Sequence, residues 1–323
     1  MLRVQRLIYA IPNNHTFGRY SQFAHLLVVL FLIISGCADE KSPPTAKSAR
    51  PSTDALSSKA PSRPTAETYY SRGLAYQRQR RFDEAVAAFK ETVKLAPKHA
   101  EAYNNMGSSY QFQGKVDLAV DAYKKAVEIN PGLVEAHHNL GNIYLMQGKF
   151  DEALTAYAAV IELRPQMAAA YVDMGRAYGM SGRLDAAIAQ YEKAVALDPS
   201  LAVAQYGLGV AYRHKGALDA AISTLKTAID LRPTFLSDAY LNLGYAYRDK
   251  GMLDEAIDAF MQVTRLETQN AQAYHELGVT YTQQERYAEA VASFETALQI
   301  RPNATQTQNS LRVAQARLAR SRK

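Results

Sequence analysis

Histidine and cysteine are the residue types in this chain that could support metal or redox chemistry. His137 and His138 are adjacent, so on a helix they point to different sides, and neither belongs to an HExxH pattern. Cys37 is the single cysteine, which excludes an internal disulfide and a cysteine-based zinc cluster. We therefore expect no metal and no cofactor, and we expect that the protein is not an enzyme.

Seven glycines recur at a nearly constant interval along the chain. They are Gly73, Gly107, Gly141, Gly175, Gly209, Gly244 and Gly278. The interval is 34 residues, except for one interval of 35. Such a period is typical of stacked structural repeats rather than of one globular domain. These glycines are expected where helices cross, so they leave no loop that could cradle a phosphate.

Each of these glycines is followed by the same residue types. A tyrosine comes three residues later: Tyr76, Tyr110, Tyr144, Tyr178, Tyr212, Tyr247 and Tyr281. An alanine comes twelve residues later: Ala85, Ala119, Ala153, Ala187, Ala221, Ala256 and Ala290. A large apolar or aromatic residue follows four positions on: Phe89, Tyr123, Tyr157, Tyr191, Leu225, Phe260 and Phe294. Six of the seven copies end in proline: Pro97, Pro131, Pro165, Pro199, Pro233 and Pro302.

This pattern resembles the tetratricopeptide repeat family, whose unit is a helix-turn-helix of about 34 residues. The resemblance implies an all-α fold, a right-handed superhelical solenoid of seven repeats, closed by a basic capping helix at 303–323. The expected repeats are 66–99, 100–133, 134–167, 168–201, 202–236, 237–270 and 271–302. The copies depart from the pattern at an extra residue after Pro233, at Thr268 in place of the terminal proline, and at Glu285 in place of the turn glycine.

The resemblance also implies a concave groove lined by the first helix of each repeat. The helix side opposite the buried one then falls at repeat positions 2, 5, 6, 9, 12 and 13. The candidate groove residues are Asn104, Asn105, Ser108, Gln111, His138, Asn139, Asn142, Asp173, Arg176, Tyr206, Arg213, Asn242, Tyr245 and Arg248.

Three of these residues, Asn105, Asn139 and Asn242, share one repeat position. This row resembles the asparagine ladder in the repeat domain of O-linked N-acetylglucosamine transferases, which holds an extended peptide by its backbone. A side-chain amide suits a peptide bond because it offers both a donor and an acceptor. The alternative is that the groove residues are simply solvated polar side chains.

The N-terminal segment has the order of an export signal. Arg3, Arg6 and Arg19 precede an apolar run at 26–34 that is too short to span a membrane as a helix. The run ends in Ile34-Ser35-Gly36-Cys37, which resembles the lipobox of bacterial lipoproteins. The resemblance implies that residues 1–36 are a signal peptide and that Cys37 is lipidated, for example with palmitate. Ala38, not Asp, follows the cysteine, and the resemblance to enteric sorting signals implies that outer-membrane delivery is permitted. We therefore expect the outer membrane, facing the periplasm, rather than the inner membrane.

Charge is distributed unevenly along the chain. Residues 37–65 are rich in Pro and Ser and poor in apolar side chains, so we expect a disordered tether. The net charge of +6 arises at the ends, because residues 66–302 hold 24 Lys/Arg against 28 Asp/Glu. A slightly acidic repeat region argues against nucleic acid as a partner.

These observations favour a lipid-anchored scaffold of the bacterial cell envelope. We expect it to bind an extended segment of an envelope protein in its groove, as an assembly factor does. The alternative is a regulatory or targeting subunit of a cell-wall or polysaccharide enzyme, with a glycan stacked on the groove aromatics Tyr70, Phe112, Tyr206 and Tyr245.

Overall fold

The computed structural model describes residues 63–322, and they form fifteen α-helices. The chain divides into two compact units, the N-terminal unit ending at residue 147 and the C-terminal unit beginning at residue 148. The predicted signal peptide, lipidation site and nearly all of the predicted tether lie outside the described residues. The all-α class, the seven repeats and the C-terminal helix are confirmed, and the handedness of the superhelix stays a prediction.

The described part of the N-terminal unit holds five helices. They are α1 (Ala66–Arg78), α2 (Phe82–Leu95), α3 (Ala100–Phe112), α4 (Val116–Ile129) and α5 (Val134–Met146). The first helix of a repeat packs on its own second helix, as α1 does on α2 and α3 on α4. It also lies beside the first helix of the next repeat, as α1 does beside α3. Stacking therefore buries faces that a single helix pair would leave in water.

The C-terminal unit continues the same arrangement over ten helices. They are α6 (Phe150–Leu163), α7 (Ala168–Met180), α8 (Leu184–Leu197), α9 (Ala202–Lys215), α10 (Leu218–Asp230), α11 (Leu236–Asp249), α12 (Leu253–Leu266), α13 (Ala271–Gln283), α14 (Tyr287–Ile300) and α15 (Thr305–Ser321). α15 packs on α14 and α13, with Ala314 buried against Phe294. In sequence α5 and α6 are the two helices of the third repeat. Within residues 63–322 no helix has the length and apolar character needed to cross a membrane.

The recurring glycine leaves room for a large side chain of the second helix, as two copies show. A Cβ added at Gly107 would lie 2.8 Å from the ring of Tyr123, and one at Gly244 would lie 2.5 Å from the ring of Phe260. Both distances are shorter than carbon atoms tolerate without movement, so glycine lets the two helices cross closely. The prediction of a close crossing at Gly107 is confirmed.

The turn inside each repeat requires a left-handed backbone. Gly114 adopts a φ of 72°, and the N–H of Lys115 then bonds the carbonyl of Tyr110 at 2.9 Å, which closes the helix end. Glu285, at φ 62°, makes the same turn without a glycine, and so does Arg80 at φ 60°, which the sequence analysis overlooked. A non-glycine residue there costs about 1 kcal/mol or more, so these two turns are strained.

The two remaining departures from the pattern are absorbed locally. At the fifth repeat α10 ends at Asp230, and Arg232 turns the chain with a φ of 49° before Pro233. At the sixth repeat Thr268 replaces proline, yet Glu267 keeps the extended φ of −142°. Asn270 donates a hydrogen bond to the Glu267 carboxylate and caps α13 through the N–H of Ala273. The capping hydrogen bonds of Asn270 thus take the place of the proline that ends the other repeats.

Candidate functional site

The predicted groove residues lie on the first helices of their repeats, but they are less exposed than the sequence suggested. Six of them are buried, namely Asn104, Ser108, Gln111, Asn142, Tyr206 and Tyr245. The other eight are half-buried, namely Asn105, His138, Asn139, Asp173, Arg176, Arg213, Asn242 and Arg248. Where two first helices are in contact, as α1 with α3, α3 with α5 and α9 with α11, some of these side chains bond across the crevice between the helices. The binding role of these residues stays a prediction.

The inner side of α3 and α5 carries neutral polar groups, and we call it the amide face (Asn104, Asn105, Ser108, Gln111, Asn139 and Asn142). Asn105 Nδ2 donates to the hydroxyl of Tyr70 at 2.9 Å. Asn139 Nδ2 donates to Asn104 Oδ1 at 3.0 Å. Each bond joins the fifth residue of one repeat to the sixth residue of the next. The asparagine row therefore couples successive repeats.

Two further bonds of the N-terminal unit hold this arrangement. Gln77 Nε2 bonds both Ser109 Oγ at 2.9 Å and the carbonyl of Asn105 at 2.8 Å, which ties α1 to α3. The hydroxyl of Tyr123 donates to Gln111 Oε1 at 2.8 Å from the second helix. Sequence reasoning missed Gln77 as part of this network, although it occupies the same repeat position as Gln111.

The hydrogen bonds leave part of each asparagine free for a ligand. Asn105 and Asn139 each use one of two amide N–H groups in the bonds between repeats. The second N–H and the carbonyl Oδ1 remain on each residue. A peptide backbone presents one donor and one acceptor per residue, so these groups match it.

The inner side of α9, α11 and α13 carries ionic groups, and we call it the charged face (Arg213, Tyr245, Arg248, Asp249 and Glu276). Arg248 Nη1 lies 2.6 Å from Glu276 Oε2, and both side chains are largely buried, with 18% and 15% of their surface exposed. The hydroxyl of Tyr245 donates to Glu276 Oε1 at 3.1 Å. Burial, then the Glu276 carboxylate, raise the pKa of Tyr245, so this hydroxyl stays protonated.

Arg213 and Arg248 both lie against the ring of Tyr245. Their guanidinium carbons are each 5.3 Å from the ring centroid. Arg213 Nη1 donates to Asp249 at 3.2 Å, whereas its Nε is buried and has no hydrogen-bond partner among the described residues. The two cations are thus stabilised by one ring and by one carboxylate each.

The asparagine of the C-terminal unit makes the same inter-repeat bond as those of the amide face. Asn242 Nδ2 donates to the hydroxyl of Tyr206 at 3.0 Å and to the carbonyl of Asp238 at 3.1 Å. Both amide protons of Asn242 are therefore used. On α7, Arg176 lies 2.6 Å from Asp173, with 11% and 13% of their side-chain surface exposed.

The surroundings of two histidines of the C-terminal unit lower their pKa and so favour the neutral ring. Burial, then the charge of Arg213, lower the pKa of His214. Burial lowers the pKa of His275, with a smaller opposing effect of Glu276 and a small lowering effect of Arg248. His275 Nδ1 lies 3.0 Å from the hydroxyl of Thr307 on α15, which connects α13 to the C-terminal helix.

The aromatic residues named for glycan stacking are already packed against protein. Tyr206 and Tyr245 are buried, and Tyr206 lies 5.1 Å from the ring of Phe235. Phe112 stacks on Phe82 with ring centroids 4.4 Å apart. The geometry therefore disfavours the glycan alternative. Within the described part of the chain no group of three or more His, Cys, Asp or Glu is placed to hold a metal ion.

These features define an all-helical repeat scaffold with polar inner faces. Family models described as tetratricopeptide repeats match residues 64–132, 98–166, 132–200 and 235–303, and a second such model matches residues 172–234. The chain belongs to the tetratricopeptide repeat family, as its sequence pattern predicts. It is a scaffold for protein–protein interactions, and no enzyme family matches it.

Solved structures show the same fold. A tetratricopeptide repeat protein from Parabacteroides merdae has 17% identity and a TM-score of 0.59, covering 77% of this chain and 98% of that one. A chain of the APC/C hetero-tetramer Cut9-Hcn1 has 22% identity and a TM-score of 0.58, covering 77% of this chain. This protein spans about half, 49%, of that Cut9-Hcn1 chain. At these identities the likeness shows the fold alone.

A third similar structure has a peptide-binding site. YrrB, described as a tetratricopeptide repeat protein with an unusual peptide-binding site, has 26% identity and a TM-score of 0.50. The match covers 59% of this chain and 98% of YrrB. No curated protein matches the chain significantly.

Proposed function

We propose that this protein is a non-enzymatic adaptor, lipid-anchored at a bacterial envelope membrane, that binds an extended segment of an envelope protein on its amide face. The observation that carries the proposal is the pair Asn105 and Asn139. Each lies at the same repeat position and keeps one N–H and one carbonyl oxygen for a peptide backbone. The likeness to YrrB, which has a peptide-binding site, supports a peptide as the ligand.

The amide face suits a backbone better than the charged face does. A ligand on the charged face would have to compete with the Arg248–Glu276 pair, whose charges are already matched and largely buried. A ligand on the amide face instead replaces water on neutral groups, at small cost. We therefore place the peptide along α3 and α5.

The binding test is the double substitution Asn105→Ala and Asn139→Ala. Each lost hydrogen bond should cost about 0.5 to 1.5 kcal/mol, so the double variant should bind its partner roughly ten-fold more weakly or worse. The partner is first captured in living cells by a photo-crosslinker at Glu135, an exposed residue in the first turn of α5. Its affinity for the purified variants is then measured by titration.

Two controls separate binding from stability. Tyr70→Phe removes the acceptor of the Asn105 bond, so it should weaken the coupling between repeats while leaving partner affinity unchanged. Glu128→Ala, on the exposed side of α4, should change neither property. If the folded double variant binds its partner with unaltered affinity, the amide face is not the binding site.

The anchor is tested separately at Cys37. Replacing Cys37 by Ala should abolish acylation and leave a precursor that retains residues 26–34, as measured by mass spectrometry. Density fractionation of membranes should find the acylated protein in the outer membrane, because Ala38 follows the cysteine. An unmodified Cys37 in mature, membrane-associated protein would refute the anchor.

A further inference from the structure

The strongest one-signed charge in the described structure lies at its C-terminal end. From residue 296 onward the chain contains no Asp or Glu, while residues 301–322 carry five arginines. Four of them, Arg312, Arg317, Arg320 and Arg322, lie on α15 or at its C-cap and are exposed. Within residues 63–322 no carboxylate pairs with these four arginines.

Helical geometry places the arginines on the outer side of α15. The side that packs on α14 and α13 contains the buried Thr307 and Ala314. Val313, Arg317 and Arg320 stand at i, i+4 and i+7 on a second stripe, and Arg312, two residues before the buried Ala314, lies on the side opposite it. The guanidinium carbon of Arg317, at the edge of this face, also lies 6.0 Å from the ring centroid of Tyr287 on α14. Val313 is 51% exposed, so the stripe has an apolar side chain among long cationic ones.

A solvating cap does not account for this composition. The last repeat of a solenoid needs polarity, and Gln, Ser or Glu would supply it equally well. The helix dipole favours Arg320 in the last turn of α15, but its effect does not reach Arg312 in the middle of the helix. A run of one charge sign therefore suggests a ligand of the opposite sign.

We propose that the outer face of α15 (Arg312, Val313, Arg317 and Arg320) docks on an anionic lipid surface. Arginine side chains suit such a surface because their apolar stems lie along the interface while the guanidinium groups reach the lipid phosphates. The exposed Val313 enters the headgroup boundary between them. This contact is separate from the lipid anchor at Cys37 and does not depend on it.

The charge of the remaining unit favours a lipid surface over nucleic acid. Residues 148–300 contain 13 Lys/Arg against 19 Asp/Glu, so they carry a net charge of −6. A long polyanion that extends beyond α15 would be repelled by this body. A membrane instead meets the molecule at one helix and leaves the acidic part in water.

The test uses the full chain, purified without acylation, and two kinds of vesicle. One contains phosphatidylcholine mixed with phosphatidylglycerol, and the other contains phosphatidylcholine alone. We expect binding to the anionic vesicles that high salt removes. Each arginine near an anionic surface contributes about five-fold, so Arg312→Gln, Arg317→Gln and Arg320→Gln together should lower the partition coefficient about 100-fold.

Matched variants decide whether the effect belongs to this face. The triple Arg→Lys variant keeps the charge and should bind nearly as the parent does. Lys124→Gln, Lys193→Gln and Arg265→Gln remove the same charge from exposed positions on α4, α8 and α12 and should leave binding unchanged. Circular dichroism verifies that each variant is folded. The basic segment before residue 63 is common to all variants, so it cancels in the comparison.

Three results would overturn the proposal. The first is parental vesicle binding by the folded Arg→Gln variant, and the second is an equal loss in the matched control. The third is tighter binding of the parent to duplex DNA or RNA than to the anionic vesicles at the same salt concentration, which would assign the face to nucleic acid.

Discussion

The amide face and the charged face both link successive repeats, but they do so with different side-chain chemistry. Each unit has a hydrogen bond from the sixth residue of one repeat to the fifth residue of the preceding repeat, Asn105 to Tyr70 in the N-terminal unit and Asn242 to Tyr206 in the C-terminal unit. Around this bond the amide face has neutral groups with unused hydrogen-bonding capacity. The charged face has ion pairs in which each arginine is matched by a carboxylate. The repeat thus fixes the spacing, and the side chains decide whether a face is available to a ligand.

The energetic difference between the faces follows from burial of charge. A buried ion pair costs about 3 to 5 kcal/mol when one partner is removed, because the other charge stays desolvated. Loss of one neutral hydrogen bond costs about 1 kcal/mol. We therefore expect the charged face to stabilise its unit and the amide face to serve binding.

The largest expected effect is that of Glu276→Ala on the charged face. The substitution leaves Arg248 without its carboxylate and Tyr245 without its acceptor, so we expect a loss of about 3 kcal/mol. Hydrogen exchange of α11 and α13 measures the loss locally, which suits a repeat protein that does not unfold in one step. Glu255→Ala, at an exposed site on α12, is the control. If the hydrogen-exchange rates of α11 and α13 stayed unchanged, the two faces would not differ in their contribution to stability.

The next effect should be equal in the two units, because the crossing glycine is common to both. Gly107→Ala and Gly244→Ala introduce a Cβ that meets the ring of Tyr123 or Phe260. Overpacking destabilises by about 1 to 3 kcal/mol, whereas the higher helix propensity of alanine stabilises by about 1 kcal/mol. Subtracting the gain from the cost, we expect a net loss of up to about 2 kcal/mol at both sites, measured by hydrogen exchange. Asp121→Ala, exposed on α4, should cause no loss.

Unequal losses of stability in the two glycine variants would be informative in themselves. Stability that falls at one glycine and not at the other would show that the two units pack their helix pairs differently. The amide face and the charged face could then no longer be compared as differing only in their side chains.

The smallest effect concerns pH and belongs to the C-terminal unit. The folded protein holds the pKa of His214 and His275 below the ordinary value, so the unfolded chain binds more protons as pH falls through about 6.5. Stability is therefore present above that pH and is lost below it, by no more than about 1.4 kcal/mol per pH unit for each histidine. The amides of the amide face do not titrate.

Hydrogen exchange of α9 and α13 between about pH 7 and about pH 5 tests this expectation. Replacing both histidines by Gln should flatten the dependence, because glutamine carries no titrating proton. An equally steep loss in the double variant would assign the pH dependence to carboxylates instead.

Most of the fold could be predicted from the sequence, because local rules repeat seven times. The period, the proline stops and the crossing glycines each follow from helix geometry, and Gly107 lies at the predicted crossing. The turn at Arg80 was missed because residue type alone does not reveal a positive φ; only the backbone does. The candidate site was predicted less well. The helix faces were found, but the burial of Asn104 and Tyr206 was not.

The helix pairs, their order and the positions that face inward follow from the amino-acid sequence, since periodicity and turn residues act over a few residues. The sequence also determined the basic composition of α15. Which inward-facing groups hydrogen-bond one another depends on how the helices pack. The bond from Asn139 to Asn104 and the pair of Arg248 with Glu276 join residues about 30 positions apart, which meet only when successive repeats stack.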